Sequence, residues 1–183
     1  MTSTFLIHNV KISLKLQVPY YYYFVKTVEH STNIKYKIFP NFLIIYSKYT
    51  YIIFKALSYT VHCNVTKIKK YDEIYKAKRN LKELFSDIVI LSTTVDNICA
   101  TRKKSENINL ELLFTKITQD SSFVCRINYN SQKFPGLFVK FSGNPISGTL
   151  IIFKSGTINY LGMKNPNHFL KVDKWINKWV YNV

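Results

Sequence analysis

The residue types that usually carry covalent or metal chemistry are sparse in this 183-residue chain. Its three cysteines form no CxxC pair and its four histidines lie far apart, whereas metal sites and disulfide frameworks need short, regular spacings. Glycine-rich phosphate loops, HExxH helices and nucleophile elbows are absent, and the ten acidic residues offer no pair suited to two-metal chemistry. The sequence therefore predicts a binding protein with no cofactor or metal, not an enzyme. The scattered residues are His8, His30, His62, His168, Cys63, Cys99 and Cys125.

Lysine is the one chemically active side chain in excess. Lys and Arg total 26 against 10 Asp and Glu, which gives a formal net charge of +16. Such a charge favours a polyanionic partner, either nucleic acid or an anionic membrane surface. No apolar run reaches the roughly 18 residues of a membrane span. Richness in Lys, Ile, Asn and Tyr also indicates AT-rich codons, so codon bias alone remains an alternative explanation for much of the charge.

An internal repeat gives these residues a framework. Residues 37–61 and 133–164 both contain Phe-Pro, an apolar run, a polar turn, a run ending Ile-Ile-Phe-Lys, and a third strand-like run. Each half then ends in a segment of helical period, at residues 71–85 and 165–180. This order predicts an α+β fold built by tandem duplication. We expect a first repeat over residues 1–85 and a second over residues 86–183.

The pattern also predicts local features. Pro166 is suited to the first turn of the last helix, with Asn165 as its cap. A strand is expected over residues 87–95, and RKKSEN at residues 102–107 is interpreted as an exposed basic loop. The expected buried helix positions are Ile74, Ala77, Leu81 and Leu84 in one repeat, and Phe169, Val172, Ile176 and Trp179 in the other.

Two strand segments, residues 42–45 and 150–153, are apolar on both faces. One face is expected to pack on the two long helices, which leaves the other as an exposed apolar sheet surface. Soluble proteins rarely expose a large apolar patch without a use for it. On a basic protein this combination predicts minor-groove binding, in which apolar side chains unstack a base step while lysines contact phosphates.

The motifs FPGL (134–137), IIFKSG (151–156) and LGMK (161–164) resemble the second repeat of the TATA-box-binding protein family. Residues 37–61 are similar to its first repeat, and the resemblance extends from Phe5 to Val180. It implies a saddle-shaped fold with a continuous curved antiparallel sheet and two long helices on the convex side.

The resemblance also implies roles for individual residues. Each repeat of the family supplies two phenylalanines that wedge between base pairs, and an asparagine in its first strand that reads the central base pairs. Asn9 matches that asparagine in the first repeat, whereas Asp87 is assigned to the position in the second. The family's threonine late in the third strand is assigned to His62 and Leu161. The wedge positions are Phe39, Phe54, Phe134 and Phe153.

Smaller apolar contacts of the family match Ile52, Val89 and Ile151, whereas Lys11, Thr60 and Asn159 depart from its pattern. Lys11, Lys55, Lys140 and Lys154 are expected to contact phosphates. The departures at Asp87, His62 and Leu161 weaken the expectation of a strict TATA preference.

The implied function is that of a general transcription initiation factor, which binds A/T-rich promoter DNA in the minor groove and bends it. Transcription factors similar to IIA and IIB and a polymerase assembly are the implied partners. One alternative is a regulator with weak DNA binding that bridges or sequesters initiation factors, and another is a non-specific nucleic-acid-binding domain. We expect a nuclear location, or a cytoplasmic replication site if the chain comes from a large DNA virus.

Overall fold

The computed structural model describes residues 5–119, 126–143 and 146–180, so Cys125 lies outside the described residues. Within these residues, no helix has the length and hydropathy that crossing a membrane requires. The strands are β1 Leu6–Gln17, β2 Lys35–Ile38, β3 Phe42–Tyr46, β4 Thr50–Phe54, β5 Thr60–Ile68, β6 Val89–Lys103, β7 Arg126–Asn128, β8 Gly136–Ser142, β9 Ser147–Phe153 and β10 Thr157–Met163. The helices are α1 Tyr22–Glu29, α2 Glu73–Leu84, α3 Leu110–Thr118 and α4 Pro166–Val180.

The first of two compact units spans Asn9–Asp96. Its strands pair antiparallel in the order β2-β3-β4-β5-β1. Side chains alternate in burial along β1, β3 and β5, as expected when one sheet face is packed, whereas β2 is exposed throughout. The packed face meets α2, where the Tyr51 hydroxyl donates to the Ala77 carbonyl at 2.8 Å. Phe42 and Phe54 lie on the opposite face, which we call the open face of the unit.

The second unit comprises the residues through His8 and those from Asn97 onward. Its strands follow the antiparallel order β6-β10-β9-β8-β7. Here α4 packs on one face, through the Tyr160 hydroxyl, which donates to Asp173 Oδ1 at 2.7 Å. The face that carries Phe138 and Phe153 is the open face of this unit. The order strand, helix, four strands, helix thus occurs twice along the chain, whereas the boundary at residues 85 and 86 stays a prediction.

The helix predictions are confirmed at most positions. Pro166 is the first residue of α4, and Asn165 caps it by accepting the Asn167 backbone N–H at 2.9 Å. The fully packed helix positions are Ala77, Leu81, Phe169, Val172 and Ile176, whereas Ile74, Leu84 and Trp179 are half-buried.

The two units share the same register where their first and last strands pair. In β1–β5, Val10 pairs with Ile68, the register shifts, and Ile12 pairs with Val65. In β6–β10, Ile98 pairs with Met163, the register shifts, and Ala100 pairs with Tyr160. Both shifts are β-bulges, and they occur at the same place in each unit. The register therefore establishes equivalent positions: Val10 and Ile98, Ile12 and Ala100, Ile68 and Met163.

The prediction of an exposed basic loop at residues 102–107 is wrong for its first half. Pairing with β10 extends β6 to Lys103, well beyond the predicted end at residue 95. Arg102 forms a salt bridge with the buried Asp173, and the Lys104 side chain donates to Asn177 on the same helix. These charges are buried because α4 provides their polar partners.

The equivalent bulges predict a stabilising substitution. Lys67, one residue before Ile68, has φ of 65°, and its counterpart Gly162 has φ of 74°. A side chain in this left-handed region costs about 1–2 kcal/mol, whereas glycine adopts it freely. Glycine also raises the entropy of the unfolded chain, which offsets part of this gain. We therefore expect Lys67→Gly to raise the free energy of unfolding by about 0.5–1 kcal/mol.

Thermal and urea denaturation measure this effect, and Gly162→Ala is the reciprocal control. A Cβ at Gly162 would contact only the Gly148 Cα, at 3.7 Å. Gly162→Ala should therefore destabilise the chain through its backbone alone, by about 1 kcal/mol. A lower melting temperature for Lys67→Gly would contradict the argument.

Lys104 predicts a pH dependence of stability. Burial, assisted by the nearby Arg102, lowers the pKa of Lys104 to about 8. An unfolded lysine has a pKa near about 10.4, so the unfolded chain binds more protons between these two values. The free energy of unfolding contributed by this group therefore rises with pH across that window.

Lys104→Met should remove that rise, whereas Lys103→Met, at an exposed neighbour, should keep it. Urea denaturation at intervals from about pH 7.5 to about pH 10.5 compares the three proteins over the window. Equal pH slopes for the parent protein and Lys104→Met would refute the prediction.

Candidate nucleic-acid interface

The open face of the first unit carries three phenylalanines at one end of its sheet. Phe39 stacks on Phe42 with ring centroids 4.6 Å apart, and Phe42 lies 6.2 Å from Phe54, its partner across β3 and β4. Phe39 and Phe54 are each 38% exposed, although their rings are large and apolar. The two predicted wedge residues of this unit are therefore brought together, with Phe42 between them.

The second unit has a matching aromatic group. Phe134 lies 6.0 Å from Phe153 and 5.2 Å from Phe138, and all three rings are on the open face or at its end. Phe134 is 38% exposed and Phe153 is half-buried. The structure thus brings the second predicted pair together as well, and adds Phe138.

Gly136 lies beneath this second aromatic group. It pairs with Phe153 across β8 and β9, and a Cβ at this position would lie 2.6 Å from Phe134 Cε1 and 2.9 Å from Ile151 Cγ2. Both distances are shorter than real Cβ contacts. The absence of a side chain therefore lets the Phe134 ring lie flat over the strand.

Phe42 occupies the corresponding place in the first unit. The buried pair Leu43 and Ile53 corresponds to the buried pair Leu137 and Ile152, so Phe42 corresponds to Gly136. The sequence predicts Phe42 only as part of an apolar strand. Its spacing of three residues from Phe39 was the available signal for a stacked pair.

A polar group follows on each open face. In the first unit, Ser13 Oγ lies 2.9 Å from Asn64 Oδ1 and 2.6 Å from Asp96 Oδ2, and Lys11 Nζ lies 4.0 Å from that carboxylate. In the second unit, Thr101 Oγ1 lies 2.9 Å from Asn159 Oδ1 and 2.7 Å from His8 Nε2. Each open face therefore joins an apolar end to a polar, hydrogen-bonded part.

Ile52 and Ile151 connect these two parts. Ile52 pairs with Asn64 across β4 and β5, and Ile151 pairs with Asn159 across β9 and β10. Both isoleucines are half-buried and lie on the open faces, and their role as small apolar contacts stays a prediction.

Three of the four predicted phosphate-binding lysines are exposed, whereas Lys11 is half-buried beside Asp96. Lys55 directly follows Phe54, and its Nζ lies 5.8 Å from the centre of the Tyr22 ring. Lys154 directly follows Phe153 and borders a cavity of about 420 Å³ beside the start of α3. Lys140 pairs with Arg126 across β7 and β8, and both line a depression of about 320 Å³ with Phe138. The sequence does not predict Arg126 at this place, because it is a lone basic residue outside any motif.

Known proteins resemble this chain in sequence and in fold. Residues 92–182 match the family model described as transcription factor TFIID, or TATA-binding protein. The TATA-box-binding protein of Aeropyrum pernix is 34% identical over 84 residues, which span 46% of this chain and 37% of that protein. The Methanococcus jannaschii TBP superposes with a TM-score of 0.69 and 20% identity, over 98% of this chain and 99% of that structure. These matches support membership of the chain in the TATA-binding protein family. Its predicted α+β fold is confirmed.

Within this family fold, the register corrects three sequence assignments. Asn97 directly precedes Ile98 as Asn9 precedes Val10, so Asn97 is the counterpart of Asn9. Asp87 and Val89 were assigned to this region wrongly. They lie before and at the start of β6, in the first unit, and the Asp87 backbone N–H donates to the Tyr23 hydroxyl.

The threonine position changes in the same way. Leu161 precedes Gly162, and Thr66 precedes its counterpart Lys67, so Thr66 corresponds to Leu161. His62, which pairs with Lys15, corresponds instead to Thr157, which pairs with Lys103. The first unit therefore retains both an asparagine and a threonine at the family's positions, and the second retains the asparagine.

The position of Gly136 yields a test of the aromatic group. Gly136→Ala should lower the free energy of unfolding by about 1–3 kcal/mol, because the new methyl group overlaps Phe134 and Ile151. In a Phe134→Ala background the loss should be smaller, since the nearest atom has gone. Urea denaturation of the double-mutant cycle measures the coupling.

Gly143→Ala is the matched control, because a Cβ there meets only the Ile146 carbonyl oxygen, at 4.0 Å. It should be close to neutral. Equal losses for Gly136→Ala and Gly143→Ala would contradict the close packing of Phe134 over the strand.

Proposed function

We propose that the open faces of both units bind the minor groove of A/T-rich promoter DNA and bend it, to nucleate assembly of a transcription initiation complex. The observation that carries the proposal is the pair of exposed phenylalanine groups, one at the end of each open face. A phenylalanine that enters a base step costs a few kcal/mol of stacking, approximately, and the wider contact with bent DNA offsets that cost.

Charge supports the same proposal. The net charge of +16 and the exposed Lys55, Lys140 and Lys154 provide sequence-independent attraction to phosphates. If about six phosphates are neutralised, the logarithm of affinity should fall against the logarithm of salt concentration with a slope near about −5. Pyrimidine–purine steps such as TA deform easily, so A/T-rich DNA would be favoured through its shape as well.

The exposed surface of α2 supports a role in recruiting partners. Tyr75, Arg79 and Lys82 are exposed there, on the side of the first unit away from its open face. Transcription factors similar to IIA and IIB, and a polymerase assembly, are the proposed partners. The proposed place of action is the nucleus, or a cytoplasmic replication site for a viral chain.

One observation favours a second candidate function. Asp96 places a partly exposed carboxylate on the open face of the first unit, where it opposes the approach of a polyanion. Leu161 also lacks the hydroxyl of its counterpart Thr66. A regulator that bridges or sequesters initiation factors, with weak DNA binding, would tolerate both features.

DNA bending separates the two candidates. End-labelled duplexes report bending by fluorescence energy transfer, with an A/T-rich TATA duplex compared with a GC-rich scramble at two salt concentrations. We expect strong bending of the TATA duplex. Phe153→Ala should abolish it and weaken binding by about tenfold or more, because a buried aromatic contact is lost.

Tyr75→Ala is the control, because it removes an exposed aromatic side chain that is not on an open face. It should leave bending unchanged. Salt-sensitive binding of both duplexes without bending would exclude the proposed function and leave either the second candidate or general nucleic-acid binding.

A further inference from the structure

Each open face carries a cluster of three polar side chains: a hydroxyl, an asparagine and a third hydrogen-bonding residue. The two clusters occupy equivalent register positions but differ in the third residue. Ser13 pairs with Asn64 and Thr101 pairs with Asn159 at corresponding positions, so each unit holds one asparagine amide against a hydroxyl. The third partner is Asp96 in the first unit and His8 in the second. These two are themselves equivalent, since Asp96 precedes Asn97 as His8 precedes Asn9.

The carboxylate determines the orientation of the amide in the first unit. A hydroxyl has one proton, and an ionised carboxylate can only accept. The Ser13 proton therefore goes to Asp96 Oδ2, at 2.6 Å, the shorter of its two contacts. Ser13 Oγ can then only accept from Asn64. The Asn64 amide can be rotated by 180°, which exchanges its oxygen and nitrogen, two atoms of nearly the same size. In this orientation the NH₂ donates to Ser13 Oγ and the oxygen faces the open face.

The imidazole has the opposite effect in the second unit. We assign to His8 the tautomer protonated at Nε2, which donates to Thr101 Oγ1 2.7 Å away, so that Thr101 donates its own proton to Asn159 Oδ1 at 2.9 Å. Asn159 keeps its oxygen on the hydroxyl and directs its NH₂ to the open face. The two equivalent asparagines thus present opposite ends of their amides.

These two ends match different base pairs in the minor groove. A·T pairs present only acceptors there, whereas G·C pairs add the guanine N2 amino donor. We propose that Asn64 accepts a hydrogen bond from a guanine N2 amino group, whereas Asn159 donates to an A·T pair and disfavours guanine. The bound site would then contain one position that tolerates G·C and one that excludes it. This assignment rests on the proposed minor-groove binding.

Inosine tests the effect of the guanine N2 amino group alone, because an I·C pair differs from a G·C pair only by lacking that group. Each base pair of an A/T-rich parent duplex is replaced in turn by G·C or by I·C. Fluorescence anisotropy at fixed salt then gives the ratio of the two affinities at every position. Comparing this ratio between the parent protein and a variant cancels the intrinsic stiffness of each duplex.

Two variants test the two asparagines. Asn64→Leu should weaken G·C binding relative to I·C by about fivefold or more at one position, because the guanine amino group loses its acceptor. Asn159→Leu should strengthen binding of the G·C duplex relative to the I·C duplex by a similar factor at another position. The reason is that the Asn159 NH₂ no longer opposes the guanine amino group, which is also a donor. Asn33→Leu, in an exposed loop between α1 and β2, is the matched control and should change no ratio.

Exchanging the third partners tests the cause. Asp96→His should give Asn64 the preference of Asn159, and His8→Asp should give Asn159 the preference of Asn64. Thermal denaturation establishes that each variant is folded before its ratios are measured.

The outcomes separate this inference from the function on which it rests. Failure of the parent protein to bind the A/T-rich duplex would overturn both. Tight binding with ratios that neither asparagine variant changes would overturn the amide assignment alone. Changed ratios in the asparagine variants, with none in Asp96→His or His8→Asp, would overturn the proposed control by the third partner.

Discussion

The alternation of side chains along each strand is the constraint on which both faces of each unit depend. Leu43 and Ile53 are fully buried in the first unit, and Phe42 and Phe54 therefore lie on the open face. A shift of one residue would exchange the two sets, so the buried set determines which residues are exposed. The first unit has one more residue than the second between its Phe-Pro turn and its buried leucine. Leu43 is nevertheless buried in the same register as its counterpart, so the extra residue places Phe42 where the second unit has Gly136.

The broad architecture could be predicted because it rests on long-range patterns. Helical periodicity located α2 and α4, and the repeated order of motifs indicated the duplication. The equivalence of β1 and β6 could not be predicted, because hydrogen-bond register and matching bulges determine it. The pattern of apolar residues in a sequence gives neither the hydrogen-bond register nor the positions of bulges. Asp87 was consequently chosen where Asn97 stands, since β6 runs to Lys103 and its first residues belong to the other unit.

Charged residues misled sequence analysis for a related reason. A run such as Arg-Lys-Lys normally indicates a solvated loop, and only the packing of α4 reveals partners for it. Asp173 contacts Arg102 and accepts from Tyr160 and Asn177, so one buried carboxylate joins α4 to β6 and β10. Burial also raises the pKa of Tyr160, which keeps its hydroxyl protonated and able to donate. Such a network adds little net stability, but removing one partner leaves a buried charge without compensation. The network therefore fixes the position of the helix more than it strengthens the fold.

The distribution of charge separates attraction to DNA from discrimination between DNA sequences. A chain with 16 excess positive charges attracts any duplex, and that attraction contains no information about sequence. On the open face of the first unit, Asp96 lies 4.0 Å from Lys11 and compensates its charge. Lys55, Lys140 and Lys154 remain exposed near the phenylalanine groups. In the proposed complex, the polar part of the face is thus left to hydroxyls and amides, whose hydrogen bonds have direction and would penalise a mismatched base edge. Specificity requires such a penalty, because stronger attraction alone would favour all competing sites equally.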